Sequence, residues 1–182
     1  MFWTLLALPA LAWCIMALQP EADLEALLEP TGELSARLLI VALALTPLVR
    51  LLPRVGALRW LVRHRRAVGV AAFGYAVLHT LFYVVGMGSA DDMLAELGAR
   101  GIWTGWLALL AMLPLALTSN AAAMRALGRG WKRLQRLAYP AALLTLAHWA
   151  FVHGGVSAAL LHFVPLLLLE LTRFIQPQRK FA

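Results

Sequence analysis

The chain has 182 residues, 62% hydrophobic and 14% charged, with a formal net charge of +7 and a mean hydropathy of +0.77. Soluble domains hold roughly 45–50% apolar residues, so this composition excludes a soluble protein and predicts an integral membrane one, with the lipid bilayer as its first partner. The pI near 10.8 does not signal nucleic acid, because the basic residues sit in short segments between apolar spans, as cytoplasmic flanks do.

Phe2 to Leu18 carries no charge and reads as a first span near the lower length limit. A signal peptide is the weaker reading, since no Lys or Arg precedes the apolar run. Gln19 to Glu33 holds Glu21, Asp23, Glu25, Glu29 and Glu33 without a basic residue and reads as an outside loop. Leu34 to Leu52 is the second span, with Arg37 and Arg50 near its ends and Pro47 as an expected kink. Arg54, Arg59, Arg63, Arg65 and Arg66 then crowd a short cytoplasmic connection, with His64 expected to be solvated or at lipid headgroups.

The third span is expected over 67–86, followed by a short outer surface helix capped by Ser89. A fourth span over 102–120 has Trp103 and Trp106 at its outer end, where interfacial aromatics belong. Arg125, Arg129, Lys132, Arg133 and Arg136 form a second cytoplasmic loop. Leu137 to Leu169 is again uncharged and would be about 50 Å long as one helix, against a hydrocarbon core of about 30 Å. It is therefore divided at Gly154 and Gly155 into spans over 137–153 and 156–172.

The expectation is an all-α integral membrane bundle of six transmembrane helices, one domain over 1–182, with both termini cytoplasmic. All Lys and Arg except Arg37 and Arg100 then lie inside, and all acids except Glu170 outside. The only cysteine, Cys14, lies in an apolar run, which leaves neither a disulfide framework nor a thiolate cluster.

Two histidines stand out because an ionisable residue inside a span is costly and marks a functional site by default. His79 in the third span and His148 in the fifth each lie about 18–20 Å from the preceding basic flank at the helical rise, in helices that cross in the same direction. Two imidazoles at one depth suit axial ligation of haem iron in a helix bundle. Small residues on their faces (Gly69, Ala72 and Ala76; Ala141 and Thr145) leave room for a flat macrocycle, or simply for close helix packing. The alternative for the histidines is a structural bond to a carbonyl or to a tyrosine such as Tyr75. His162 is a lesser candidate ligand, and His153 falls at the outer surface. Arg37 and Arg100 are candidates for the anionic propionates, or plain interfacial anchors.

Other chemistries lack a basis in the sequence. The serines have no base–acid arrangement, the Gly128–Gly130 stretch follows no strand, and no carboxylate relay crosses the membrane.

The segments LTPLVRLL (Leu45 to Leu52), RRAVGVAAFGYAVLHTLFY (Arg65 to Tyr83) and the run from Leu115 to Trp149 resemble the ferric reductase-like transmembrane family. Within it they are most similar to the haem-binding membrane subunits of bacterial periplasmic methionine sulfoxide reductase systems. The resemblance implies His79 and His148 as haem ligands in a b-type haem subunit of the inner membrane. It implies electrons arriving from a cytoplasmic flavin reductase or the quinone pool and leaving to a periplasmic molybdenum oxidoreductase. The chain would then be a non-autonomous subunit of an oxidoreductase.

Relatives place histidine in a WxxLH motif where this chain reads WKRLQ, ending in Gln135. Gln135 with Arg66 or His64 occupies that inner level, so one haem b is expected, near the outer face, with FMN or a quinone as the bridge at the inner rim. The runner-up is a non-redox membrane protein, an assembly factor or small transporter, with metal-binding or structural histidines.

Overall fold

The computed structural model describes residues 2–152 and 156–175, with side chains to 172. Helix α1 (Phe2–Ala17) is apolar throughout and contains Pro9. The hydroxyl of Tyr75 enters its ladder just past that proline, donating to the Leu6 carbonyl at 2.6 Å and accepting from the Ala10 amide at 3.2 Å. Tyr75 therefore fastens α1 to the bundle and is not the partner of His79.

Helix α2 (Leu24–Leu51) begins earlier than the composition suggested, because the Asp23 carboxylate accepts from the Ala26 amide at 3.1 Å and caps it. The outer acidic stretch is thus half loop and half helix. Helix α3 (Gly56–Met87) likewise takes in Arg59 to Arg66, which were expected in a loop. Both exceed about 40 Å at the helical rise, so their charged ends project beyond a hydrocarbon core of about 30 Å. Gly88, at φ +68°, ends α3 in the left-handed conformation that glycine allows.

The expected surface helix is α4 (Ala90–Glu96), where the Ser89 hydroxyl accepts from the Asp92 amide at 3.1 Å. After α5 (Arg100–Leu117), the second basic segment is not a loop. It is two short helices, α6 (Ala121–Leu127) and α7 (Arg129–Leu134), followed by a 3₁₀ turn, Gln135–Leu137. Helices α8 (Ala138–Val152) and α9 (Val156–Ile175) complete the bundle. The expected break at Gly154 and Gly155 lies outside the described residues, as do His153, Arg179 and Lys180.

Helices α2, α3 and α5 are long and apolar enough to cross a membrane, and α1 and α9 are shorter apolar helices. The core joining α2, α3, α5, α8 and α9 is rich in small residues, including Ala36, Ala72, Ala141, Ala142 and Ala159. Small side chains let backbones approach, which is how helices associate where lipid offers no hydrophobic driving force. The perimeter is equally apolar: Leu161 is 73% and Leu143 67% exposed. A bundle greasy on both its inner and outer surfaces is matched to lipid.

Candidate functional site

Among the described residues, the most extensive helix pairings are α2 with α3 and α5 with α8. Each pair delivers one histidine to a shared cavity of about 1270 Å³. His79 on α3 and His148 on α8 meet with ring centroids 5.9 Å apart and planes at 82°. The equal depth read from the sequence is realised as direct proximity. Two imidazole nitrogens bound to one metal at about 2.0–2.1 Å each would place the ring centres roughly 6 Å apart.

His79 Nδ1 lies 2.9 Å from the Leu28 carbonyl oxygen on α2, and His148 Nδ1 lies 2.7 Å from the Gly101 carbonyl oxygen on α5. A carbonyl oxygen only accepts, so Nδ1 holds the proton in both rings and the lone pair resides on Nε2. Metal-bound imidazoles take this tautomer and this kind of outer support. A structural histidine would also be satisfied by such a bond, but that does not account for two rings meeting across a large cavity. Among the described residues no three His, Cys, Asp or Glu converge on one point. A bare zinc ion needs at least three protein ligands, whereas haem iron takes its protein ligands at the axial positions alone.

The other candidates lie further out. Arg37 is exposed and paired with Glu33 at 2.7 Å, and Glu33 lines the cavity. Arg100 is exposed between two residues that line it, Ala99 and Gly101. His162 does not line the cavity. Its Nδ1 donates to the Ala158 carbonyl of its own helix at 2.8 Å, and its ring lies 5.0 Å from that of Trp149. Of the small residues singled out, Ala76 and Thr145 line the cavity, while Ala72 and Ala141 are fully buried in helix contacts.

A second cavity of about 310 Å³ lies toward the basic end, lined by Arg65, Arg66, Lys132, Gln135 and Arg136. Gln135 Nε2 lies 3.3 Å from the Thr118 hydroxyl oxygen. Arg66 lines this cavity with Gln135, whereas His64 does not line it; its ring packs on Trp60 at 4.3 Å. Met112 borders both cavities and is only 4% exposed.

Sequence reasoning missed the residues that seat the histidines. A Cβ at Gly32 would come 3.0 Å from His79 Nδ1, and one at Gly105 would come 2.7 Å from His148 Nδ1. Gly101 has a second role, since a Cβ there would meet Val152 Cγ2 at 2.6 Å and push α8 away. The signal was present as Gly101 and Gly105 at the GxxxG spacing of close helix contacts.

The fold and site define a multi-pass helical membrane protein with a histidine pair at a large cavity between its helices. The chain belongs to the ferric reductase like transmembrane component family, whose model matches residues 31–146, a span that includes His79 and stops just short of His148. Among curated proteins, it is 34% identical over 158 residues to the protein-methionine-sulfoxide reductase heme-binding subunit MsrQ of Xanthomonas axonopodis pv. citri. That alignment covers 79% of this chain and 64% of the relative. The subunit of the same name from Azospira oryzae is 38% identical over 141 residues, covering 74% of this chain and 58% of the relative. The chain thus spans about two thirds or less of these relatives' length. No solved structure matches it.

Proposed function

We propose that this chain is a haem-binding electron-transfer subunit that holds one b-type haem between His79 and His148. The observation that carries the reading is the pair of imidazoles at a centroid separation of 5.9 Å, each with Nδ1 against a backbone carbonyl oxygen. Haem, when bound, supplies a one-electron couple tuned by its ligands and by burial. The chain's own residues do the rest. Leu28 and Gly101 hold the two rings through their carbonyls, Ala76 and Thr145 keep the walls low, and Arg37 and Arg100 at the rim offer guanidinium groups to the propionates. The names of the relatives, each a heme-binding subunit, support the same cofactor.

One haem is favoured over two because the inner cavity has about a quarter of the outer cavity's volume and offers Gln135 and Arg66 where histidines would be needed. Its basic lining suits an anionic flavin phosphate or a quinone carbonyl, and Met112 is the partition an electron would cross to reach the outer site. The charge distribution supports six spans in a bacterial inner membrane, with both ends and the basic helices α6 and α7 cytoplasmic. The electron donor is then a cytoplasmic flavin reductase or quinol. The acceptor is a periplasmic oxidoreductase, with methionine sulfoxide as the substrate class suggested by the relatives' names.

Purification in detergent from haem-replete cells, followed by a reduced-minus-oxidised spectrum, tests the reading. A low-spin b-type spectrum that disappears in His79→Ala and in His148→Ala supports it. A colourless folded wild type leaves the histidines to a non-redox role.

A further inference from the structure

The two histidines are seated by the same local construction in two different helices. In α2, the buried Thr31 hydroxyl donates to the carbonyls of Leu27 at 2.6 Å and Leu28 at 3.0 Å. In α5, the buried Thr104 hydroxyl donates to the carbonyls of Arg100 at 2.9 Å and Gly101 at 2.8 Å. Leu28 and Gly101 are the carbonyls that accept from His79 and His148. The residue after each threonine is the glycine against which the imidazole lies, Gly32 and Gly105. Carbonyl, threonine and glycine therefore occur at identical spacing in α2 and α5, each set serving the histidine of the helix packed alongside.

We propose that Thr31–Gly32 and Thr104–Gly105 are two copies of one imidazole clamp, in which the threonine hydroxyls are positioning groups that set the redox potential of the bound haem. The inference rests on His79 and His148 being the axial ligands. The glycine makes room for the ring and the carbonyl fixes its tautomer. The hydroxyl donates to that same carbonyl, drawing off part of its electron density. A carbonyl so engaged pulls less on the Nδ1 proton, and the imidazole keeps less imidazolate character. A less electron-rich ligand favours the ferric state less, so each hydroxyl holds the potential above the value the bare carbonyl would set. Threonine bonding back to its own helix is common in membrane spans. What is specific here is that in both helices one of the two carbonyls sharing the hydroxyl, Leu28 beside Leu27 and Gly101 beside Arg100, is the one that holds a histidine.

The test is a potentiometric titration of the purified full-length protein, with haem per chain quantified, for Thr31→Val, Thr104→Val, the double variant and the two Thr→Ser variants. Valine keeps the volume and removes the donor, whereas serine keeps the donor. The expected result is wild-type haem content with a midpoint shifted downward in each valine variant and further in the double variant. Both serine variants should titrate as wild type. If a valine variant loses haem while its serine counterpart keeps both haem and potential, the hydroxyl is still the group that matters. Valine variants with an unchanged midpoint, or serine variants that behave like valine, overturn the proposal without touching the axial assignment. Failure of that assignment would show itself separately, as a wild type without haem or a spectrum that survives loss of either histidine.

Discussion

Glycine at 105 tolerates change less than glycine at 32. A Cβ at 105 would sit 2.7 Å and 2.8 Å from His148 Nδ1 and Cε1, whereas one at 32 would sit 3.0 Å and 3.1 Å from the same atoms of His79. Contacts below about 3 Å force something to move, and the movable part here is the ring, which must then abandon its carbonyl. Gly105→Ala should therefore lose most of its haem while Gly32→Ala loses less; pyridine-haemochrome quantification per folded chain would show equal losses if the glycines are not clamps. The arginines also differ. Arg37 already shares its charge with Glu33 at 2.7 Å, so Arg100→Ala should lower the haem midpoint more than Arg37→Ala, and no shift in either would end the propionate role. The histidines themselves were legible in the sequence, because a lone ionisable group in an apolar run is conspicuous wherever the helix ends up. The threonine–glycine pairs were not, since their meaning depends on the rotation of α2 against α3 and of α5 against α8, which no local pattern records.

At the scale of elements, the sequence located the apolar stretches and misjudged how far the helices continue past them. Charge ends a span at the membrane surface, but it does not end a helix whose backbone bonds are internal, so α2 gains the turns from Leu24 and α3 those from Gly56. The Asp23 and Ser89 caps act at these margins, and only the second was read in advance. Helix α1 is fastened to α3 through the Tyr75 hydroxyl. Tyr75→Phe would leave the Leu6 carbonyl and Ala10 amide without the inserted hydroxyl, at a cost of about 1–3 kcal/mol. A lower melting temperature with an unchanged haem spectrum is expected; an unchanged melting temperature would mean that α1 is held by its apolar contacts alone. At the inner cavity, Gln135→His restores one histidine, but Arg66 remains at that level in a space of about 310 Å³. Haem per chain should stay at one, and a rise to two would refute the single-haem reading.

For the whole molecule, the proposed sidedness rests on charge. In the proposed six-span layout, the Asp and Glu residues of the α2 and α4 regions and the Lys and Arg residues of α6 and α7 fall on opposite faces of the bilayer. In a Cys14→Ser background, a cysteine at Glu25 should react with an impermeant maleimide in intact cells and one at Arg133 only after lysis. Labelling of both from outside would break the six-span layout. If the proposed layout holds, the histidine pair lies nearer the outer face and the basic cavity nearer the inner one, with Met112 bordering both, the order that the proposed outward electron transfer requires. The most direct test of the account remains optical: a dithionite-reduced minus oxidised spectrum of the purified protein, with haem per chain measured in the wild type, His79→Ala and His148→Ala. One low-spin b-type haem per chain, lost in both variants, is the predicted result. A spectrum retained in either variant, or a folded wild type without colour, would contradict it.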